Sequence, residues 1–202
     1  MVNQYSTILL FGAPGVGKGT QGSILGSIPN LFHLSSGDMF RMLDVESELG
    51  QVFYEYSSRG ELVPDDITVQ FWQQNIHAHT VLGLYKPASD LLILDGIPRN
   101  PNQAKQLDNY IQVLKVIHLE CEDEEAMIQR IRQRALKENR IDDAREDIIR
   151  RRWEIYRGQT QPILDYYSSP FIERVNAMAT PAEVLSNILQ IVIPVIDTHF
   201  SD

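Results

Sequence analysis

A glycine-rich stretch that follows a short apolar run constrains the fold of this chain more than any other feature. The run spans residues 7–11, and the stretch reads Gly12-Ala-Pro-Gly-Val-Gly-Lys-Gly-Thr20. A continuous apolar run bounded by glycine is typical of a buried parallel strand. Four residues separate Gly12 from the Gly17-Lys18 pair, which is the spacing of a loop that cradles phosphate with backbone amides while its lysine reaches the β- and γ-phosphates. The pattern therefore predicts a strand, a phosphate-binding loop and a helix in succession.

Four further apolar runs indicate the rest of the sheet, at residues 32–34, 91–94, 116–119 and 171–175. Helix signals lie between and after them: Asp123 precedes two glutamates, and Thr180-Pro-Ala-Glu183 forms a capping box with proline at the first helical position. Alternating strands and helices predict an α/β fold, with a parallel sheet of about five strands and helices on both faces. We expect Pro194 to end the last helix.

Composition and charge exclude several classes of protein. The chain has 202 residues, a net charge of −9 and one cysteine, Cys121. A single cysteine allows neither an internal disulfide framework nor a four-cysteine zinc site. The acidic balance argues against general nucleic-acid binding, and no apolar stretch approaches the ~20 residues of a membrane helix. We expect a soluble cytoplasmic monomer that binds neither nucleic acid nor membrane.

One segment is basic within this acidic chain. Residues 130–157 contain nine arginines and Lys137 against six acids. Such a segment is either a solvated helix face or a site for a compact, highly charged anion, and charge alone favours the first interpretation. The motifs have to decide between them.

Four motifs in order resemble those of the adenylate kinases and related nucleoside monophosphate kinases. In the phosphate loop, Gly19 follows the lysine and the hydroxyl comes one residue later, at Thr20, as in GAPGVGKGTQ of that family. The other three motifs are Ser35-Ser-Gly-Asp-Met-Phe-Arg41, Asp95-Gly-Ile-Pro-Arg99 with Gln103 beyond it, and Arg140-Ile-Asp-Asp143 followed by an arginine-rich helix and Thr160-Gln-Pro162. The resemblance extends over residues 7–190.

The resemblance implies reversible phosphoryl transfer from MgATP to AMP, which gives two ADP. It implies one phosphate-loop kinase domain over residues 1–202, with a monophosphate-binding insertion at 36–65 and a short lid at 134–145. The resemblance implies Mg²⁺ with ATP. Zinc is not expected, because the lid has no cysteine. A kinase of the UMP/CMP type shares every phosphate-handling motif and stays the main alternative. A non-catalytic nucleotide-binding switch is a more distant one, because it would need no second anion site.

The resemblance also assigns residues to roles. The residues expected to act on the phosphates are Lys18, Arg99, Arg134, Arg140 and Arg152. The residues expected to bind ATP are Gly12, Gly15, Val16, Gly17, Lys18, Gly19, Thr20 and, over the adenine, Arg130. The residues expected to bind AMP are Ser36, Arg41, Leu62, Val63, Gly96, Arg99 and Gln103. Asp95, directly after an apolar run, is expected to hold Mg²⁺ through water, with Asp38 as a weaker candidate.

Two adjacent arginines compete for one of these roles. Counting forward from Arg140 places the post-lid arginine at Arg151, whereas counting back from Tyr156 and Thr160 places it at Arg152. We favour Arg152, because positions 152, 156 and 160 recur every four residues on one helix face. Arg151 is then expected to meet solvent or an acid such as Asp147. Surface ion pairs are predicted for Arg132, Arg145 and Arg157.

Overall fold

All five apolar runs fall within the strands of a single parallel sheet, except that residue 171 precedes the last strand by one position. The structure is a computed structural model that describes residues 4–138 and 145–200. The strands are β1 (Tyr5–Gly12), β2 (Leu31–Ser35), β3 (Leu91–Asp95), β4 (Ile111–Glu120) and β5 (Ile172–Asn176), and their spatial order is β2-β3-β1-β4-β5. Every described pairing is parallel. The predicted α/β fold with five parallel strands is confirmed.

Helices cover the sheet. They are α1 (Lys18–Leu25), α2 (Ser36–Arg41), α3 (Glu48–Ser57), α4 (Asp65–Val81), α5 (Pro101–Leu107), α6 (Glu124–Glu138), α7 (Glu146–Ile155), α8 (Ile163–Tyr166) and α9 (Pro181–His199). A π-helical turn, Tyr156–Thr160, continues α7, and a 3₁₀ turn, Ser169–Phe171, precedes β5. The four apolar residues of β3 are each 0% exposed. Because successive side chains of a strand point to opposite faces, both faces of β3 are covered.

The central position of β1 determines where three of the sequence motifs meet. β1 pairs with β3 on one side and with β4 on the other, so that Leu10 lies opposite Asp95 and Gly12 opposite Leu119. β2 ends in register with β3, at Ser35 opposite Asp95. The phosphate loop, the segment after Asp95 and the start of α2 therefore leave the sheet at the same edge, where ligands bind in open parallel sheets.

Both predicted caps are confirmed. Asp123 caps α6, since its carboxylate accepts a hydrogen bond from the backbone N–H of Ala126 at 2.9 Å. Thr180 opens α9 with a complete capping box, in which Thr180 and Glu183 each accept from the other's backbone N–H. Among the described helices, none is long and apolar enough to cross a membrane.

The prediction that Pro194 ends the last helix was wrong. α9 continues through Pro194 to His199. Proline removes one N–H from the helix ladder and frees the carbonyl four residues earlier, which here belongs to the exposed Gln190. Val192 is fully buried, and Val195 and Ile196 pack against the core just beyond the proline. Apolar contacts on both sides of Pro194 thus hold the helix together.

Candidate active site

The phosphate loop adopts a backbone that requires glycine. Gly12, Gly15 and Gly17 have φ angles of 145°, 89° and 96°, a region that side chains with a Cβ rarely adopt. At Gly12 a Cβ would also lie 2.5 Å from the backbone oxygen of Leu119 on β4. The phosphate loop packs closely on β4 and turns through left-handed backbone. Both features keep the amides of the loop at the start of α1.

Lys18, the first residue of α1, is folded back onto the loop. Its Nζ donates to the carbonyl oxygens of Gly12 at 2.7 Å and of Ala13 at 3.0 Å. Burial lowers the pKa of Lys18 to about 8; nearby Asp95 opposes this effect, and Arg99 and Arg134 add to it. The ammonium is thus bound by two neutral carbonyl oxygens. The positive charges of Arg99 and Arg134 disfavour its protonated form.

One cavity of about 360 Å³ extends from this loop across the sheet edge. Most of the residues assigned from the sequence line it: Gly12, Gly15, Gly17, Lys18, Gly19, Thr20, Ser36, Arg41, Leu62, Val63, Asp95, Gly96, Arg99, Gln103, Arg134 and Arg152. Val16 lies beneath the loop and is 3% exposed. Arg130 lies outside the cavity lining and donates to the carbonyl of Ala177 at 3.2 Å. Arg140 lies outside the described residues.

The cavity brings together two arginines from separate segments, Arg41 and Arg99. The Nε of Arg99 donates to the carbonyl of Gly96 at 2.7 Å. Burial lowers the pKa of Arg99 to about 10, with a further contribution from the positive charge of Arg152. Arg41 donates to the carboxylate of Asp38 at 2.5 Å, one turn earlier on α2. Each guanidinium group is therefore held beside the cavity by a hydrogen bond to a neighbouring oxygen.

Arg151 and Arg152 have different surroundings in the structure. Arg152 lines the cavity close enough to Arg99 to affect its pKa, whereas the exposed Arg151 forms an ion pair with Glu154 at 2.9 Å. Asp147 was the wrong partner for Arg151, because its carboxylate is bound by Arg145 at 2.5 Å. α7 ends at Ile155, and the π-helical turn carries Tyr156 and Thr160 to the same cavity.

Four arginines of the basic segment, Arg132, Arg145, Arg150 and Arg157, form exposed ion pairs. Arg132 binds Glu146 at 3.1 Å, and Arg157 binds Glu124. Together with the Arg145 pair, these contacts match the predicted surface ion pairs. Arg150 bridges the two helices by binding Glu125 at 2.7 Å and Glu146 at 2.9 Å. The described arginines of the basic segment thus differ in surroundings: these four, like Arg151, form exposed ion pairs, whereas Arg134 and Arg152 line the cavity.

Asp95 is a buried carboxylate at the carboxyl end of β3, 5% exposed. Its Oδ2 lies 3.8 Å from Nε2 of His33 and would lie 3.7 Å from a Cβ built on Gly19. Thr20 offers a hydroxyl to the same cavity. In the described part of the chain, no three His, Cys, Asp or Glu side chains form a metal cage. One carboxylate and one hydroxyl beside a phosphate loop suit Mg²⁺, which in such sites keeps several waters and binds substrate phosphates.

The part of the cavity around Gly96 and Gln103 is shaped by contacts among the residues assigned to AMP from the sequence. Ser36 donates through its hydroxyl to the carbonyl of Gly96 at 2.7 Å. Gly96 has a φ of 75°, and a Cβ there would lie 2.7 Å from that hydroxyl oxygen. The side chain of Gln103 is 1% exposed, accepts from the backbone N–H of Arg99 at 2.8 Å and donates to Asp65 at 2.8 Å.

Sequence reasoning missed three residues of this region. Phe40 and Phe53 line the cavity as a stacked pair with ring centroids 5.2 Å apart, and Asp65 holds Gln103. Phe40 lies inside a motif that had been singled out, so its apolar character was a usable signal. Phe53 and Asp65 lie on α3 and α4, and only the tertiary fold brings them to the site.

Comparisons with known proteins agree with this geometry. A family model described as adenylate kinase matches residues 10–171. An adenylate kinase of Flavobacterium psychrophilum is 34% identical over 192 residues, which cover 92% of this chain and 97% of that protein. An adenylate kinase of Thermobifida fusca is 37% identical over 183 residues, with 88% and 93% covered, and one of Thermus thermophilus is 34% identical over 188 residues, with 90% and 94% covered. With a match of this extent and a phosphate loop that opens onto a cavity lined by arginines, the chain belongs to the adenylate kinase family.

Proposed function

We propose that the protein catalyses the reversible transfer of a phosphoryl group from MgATP to AMP, giving MgADP and ADP. The observation that carries the proposal is one cavity in which a phosphate loop faces cationic side chains from separate segments: Lys18, Arg41, Arg99, Arg134 and Arg152. Phosphoryl transfer depends mainly on positioning two anions and neutralising their charge. A protein that bound one nucleotide as a switch would have no use for the second set of cations.

The phosphate loop and Lys18 are proposed to bind the phosphates of ATP. Lys18 donates to two backbone carbonyls of its own loop, so binding exchanges neutral acceptors for phosphate oxygens. Phosphate oxygens carry negative charge, so the new contacts add a Coulomb attraction to the ammonium that neutral carbonyl oxygens do not supply. The exchange therefore favours the bound nucleotide and points the ammonium at the β- and γ-phosphates.

Arg41 and Arg99 are proposed to hold the phosphate of AMP, and Arg134 and Arg152 to bind the phosphoryl group in transfer. Guanidinium groups suit both tasks, because their rigid fork matches the oxygens of a phosphate. Arg140 is assigned to the second pair by the family resemblance. The acceptor oxygen of AMP is already ionised at neutral pH, so the reaction requires no general base.

Mg²⁺ fits the acidic end of β3. Asp95 is proposed to hold it through water, together with the hydroxyl of Thr20, and Asp38 lines the same cavity. When bound, the ion neutralises charge on the β- and γ-phosphate oxygens. Asp95 also keeps Lys18 charged, because its carboxylate raises the pKa of the ammonium.

The adenine of AMP is proposed to bind against Gln103, beside Leu62 and Val63. The amide of Gln103 can donate to a ring nitrogen and accept from an exocyclic amine. Ser36 supports this pocket indirectly, since its hydroxyl is bound to Gly96. These contacts favour AMP over UMP, because uracil presents a carbonyl and an N–H where adenine presents an amine and a ring acceptor. Cytosine presents the same pair of groups as adenine, so CMP differs from AMP in the smaller size of its base.

A panel of monophosphates with MgATP tests the proposal. ADP formation is measured with AMP, UMP and CMP, and kcat/KM for AMP is expected to be at least about tenfold higher. Comparable turnover with UMP or CMP would support the pyrimidine alternative, and no turnover with any acceptor would support the switch. We further propose a cytoplasmic location, which the single cysteine supports, and a monomeric state, which size-exclusion chromatography tests.

A further inference from the structure

Three side-chain amides from one short segment converge on a single carboxylate. Asn100 and Gln103 donate to Oδ1 of Asp65 at 2.7 Å and 2.8 Å, and Asn102 donates to Oδ2 at 2.7 Å. Asp65 is the first residue of α4, whereas the three donors flank or begin α5. The carboxylate thus fixes the start of α4 to the segment that carries Arg99 and Gln103.

Both ends of the Gln103 amide are fixed by these contacts. Its Oε1 accepts from the backbone N–H of Arg99, and its Nε2 donates to Asp65. Rotating the amide by half a turn would place its oxygen against the carboxylate and its N–H against another N–H. Gln103 is 1% exposed, so water cannot compensate for either repulsive contact. The orientation of the amide is therefore determined.

Each end of the amide also keeps one hydrogen-bonding position that no described residue uses. A carbonyl oxygen has two lone pairs and an amide nitrogen has two hydrogens. Adenine offers an exocyclic amine donor beside the N1 acceptor, which matches this amide. Hypoxanthine offers the reverse, a carbonyl acceptor beside an N1–H donor, and would match only the rotated amide.

We propose that Asp65 is a positioning residue that sets the base specificity of the monophosphate site. It holds the Gln103 amide in the orientation that accepts adenine and rejects hypoxanthine. This inference rests on the proposed function, in which Gln103 binds the base of AMP. Asp65 itself makes no contact with the nucleotide in this scheme; it acts through Gln103.

The test compares kcat/KM for AMP and IMP in the wild type, Asp65→Asn and Asp66→Asn. Asparagine can present either an oxygen or an N–H to Gln103, so only the Arg99 contact would still oppose rotation. We expect the AMP/IMP ratio to fall at least about tenfold in Asp65→Asn. Asp66 is the matched control, because it is a neighbouring carboxylate in the first turn of α4 that accepts from Gln106 at 3.0 Å and does not contact Gln103. Its ratio is expected to stay within about twofold of the wild type.

The concentration of folded enzyme cancels in the ratio of kcat/KM for AMP to kcat/KM for IMP. Partial unfolding of a variant therefore does not lower this ratio. An unchanged ratio in Asp65→Asn, or an equal fall in Asp66→Asn, would overturn the inference and leave the proposed function intact. A wild type that turns over UMP or CMP but not AMP would instead overturn the proposed function and the inference with it.

A second measurement needs no variant. In the ¹⁵N-labelled wild type without nucleotide, one side-chain amide proton of Gln103 should be protected from solvent exchange by its bond to Asp65. The exposed Gln70 on α4 provides the comparison. Equal exchange rates for the two side chains would contradict a fixed amide.

Discussion

Lys18 is a buried ammonium whose charge is sensitive to pH within an accessible range. Burial lowers its pKa from 10.5 to about 8, and the positive charges of Arg99 and Arg134 act in the same direction. The group is therefore charged below about pH 8 and loses its proton as the pH rises through that value. An uncharged Lys18 offers much less to the β- and γ-phosphates.

We predict that ATP binds more weakly as the pH rises above about 8, by a factor that approaches tenfold per pH unit. The dissociation constant is measured by calorimetry between about pH 7 and pH 9. Lys18→Met is the control and should bind weakly with little dependence on pH in this range. An affinity of the wild type that stays constant up to about pH 9 would contradict the assigned pKa.

Replacing Arg151 and Arg152 one at a time tests which of these adjacent arginines acts in catalysis. Arg152→Ala should lower kcat by roughly 10²–10³, the effect of removing one preorganised donor. Arg151→Ala removes only an exposed pair with Glu154 and should lower kcat by less than about tenfold. Steady-state kinetics of the two variants decide the matter, and the reverse ranking would move the catalytic assignment to Arg151.

The sequence predicted residues that belong to a local motif and missed those that reach the site from elsewhere. Gly12 to Thr20 form their site from one continuous stretch, so spacing was enough. The Gln103 amide was identified, but its orientation depends on Asp65, which no local pattern connects to it. Arg130 was assigned to the adenine of ATP by the family resemblance; it donates to the carbonyl of Ala177 and lies outside the cavity lining, and its role stays a prediction.

At the scale of the element, α9 shows why a strong local signal was wrong. Proline disfavours a helix interior by about 3 kcal/mol relative to alanine, which is why Pro194 was expected to end the helix. The buried Val192 and the partly buried Ile196 lie on either side of it and anchor both halves. The strands β1, β3 and β4, by contrast, were correctly predicted because their apolar runs agree with the burial that the sheet imposes.

This balance leads to a prediction for stability. Pro194→Ala restores the missing N–H of α9 and should raise the free energy of unfolding by about 1–2 kcal/mol, since part of the gain is offset by a more flexible unfolded chain. Urea denaturation measures the change. Gln190→Ala alters another exposed position of the same helix and should change stability by less than about 0.5 kcal/mol. If the free energy of unfolding of Pro194→Ala did not exceed that of the wild type, Pro194 would not destabilise α9.

At the scale of the whole molecule, described residues from both of the segments proposed as insertions line the cavity. Arg41 and Phe53 line it from residues 36–65, and Arg134 lines it at the start of residues 134–145. We propose that both segments close over the bound nucleotides and exclude water that would otherwise hydrolyse ATP. The cations on opposite walls would then approach the phosphates from both sides.

Hydrogen exchange with a bisubstrate analogue that joins two adenosines tests this closure. Backbone amides in residues 36–65 and 134–145 should exchange more slowly when the analogue is bound. Amides of β3 provide the internal control, because that strand is already buried on both faces. Unchanged exchange in both segments would exclude closure.

The place of β1 at the centre of the sheet has a consequence for the order in which the protein can fold during synthesis. β1 and the phosphate loop are translated early, yet the partners of β1 are β3 and β4, at Leu91–Asp95 and Ile111–Glu120. β2 follows β1 in the chain but pairs only with β3. A nascent chain that ends before Leu91 therefore contains the complete phosphate-loop sequence without any strand to align it. Because contacts between distant segments form slowly and leave apolar runs exposed until then, the ATP site, encoded first, is completed only after more than half of the chain has left the ribosome.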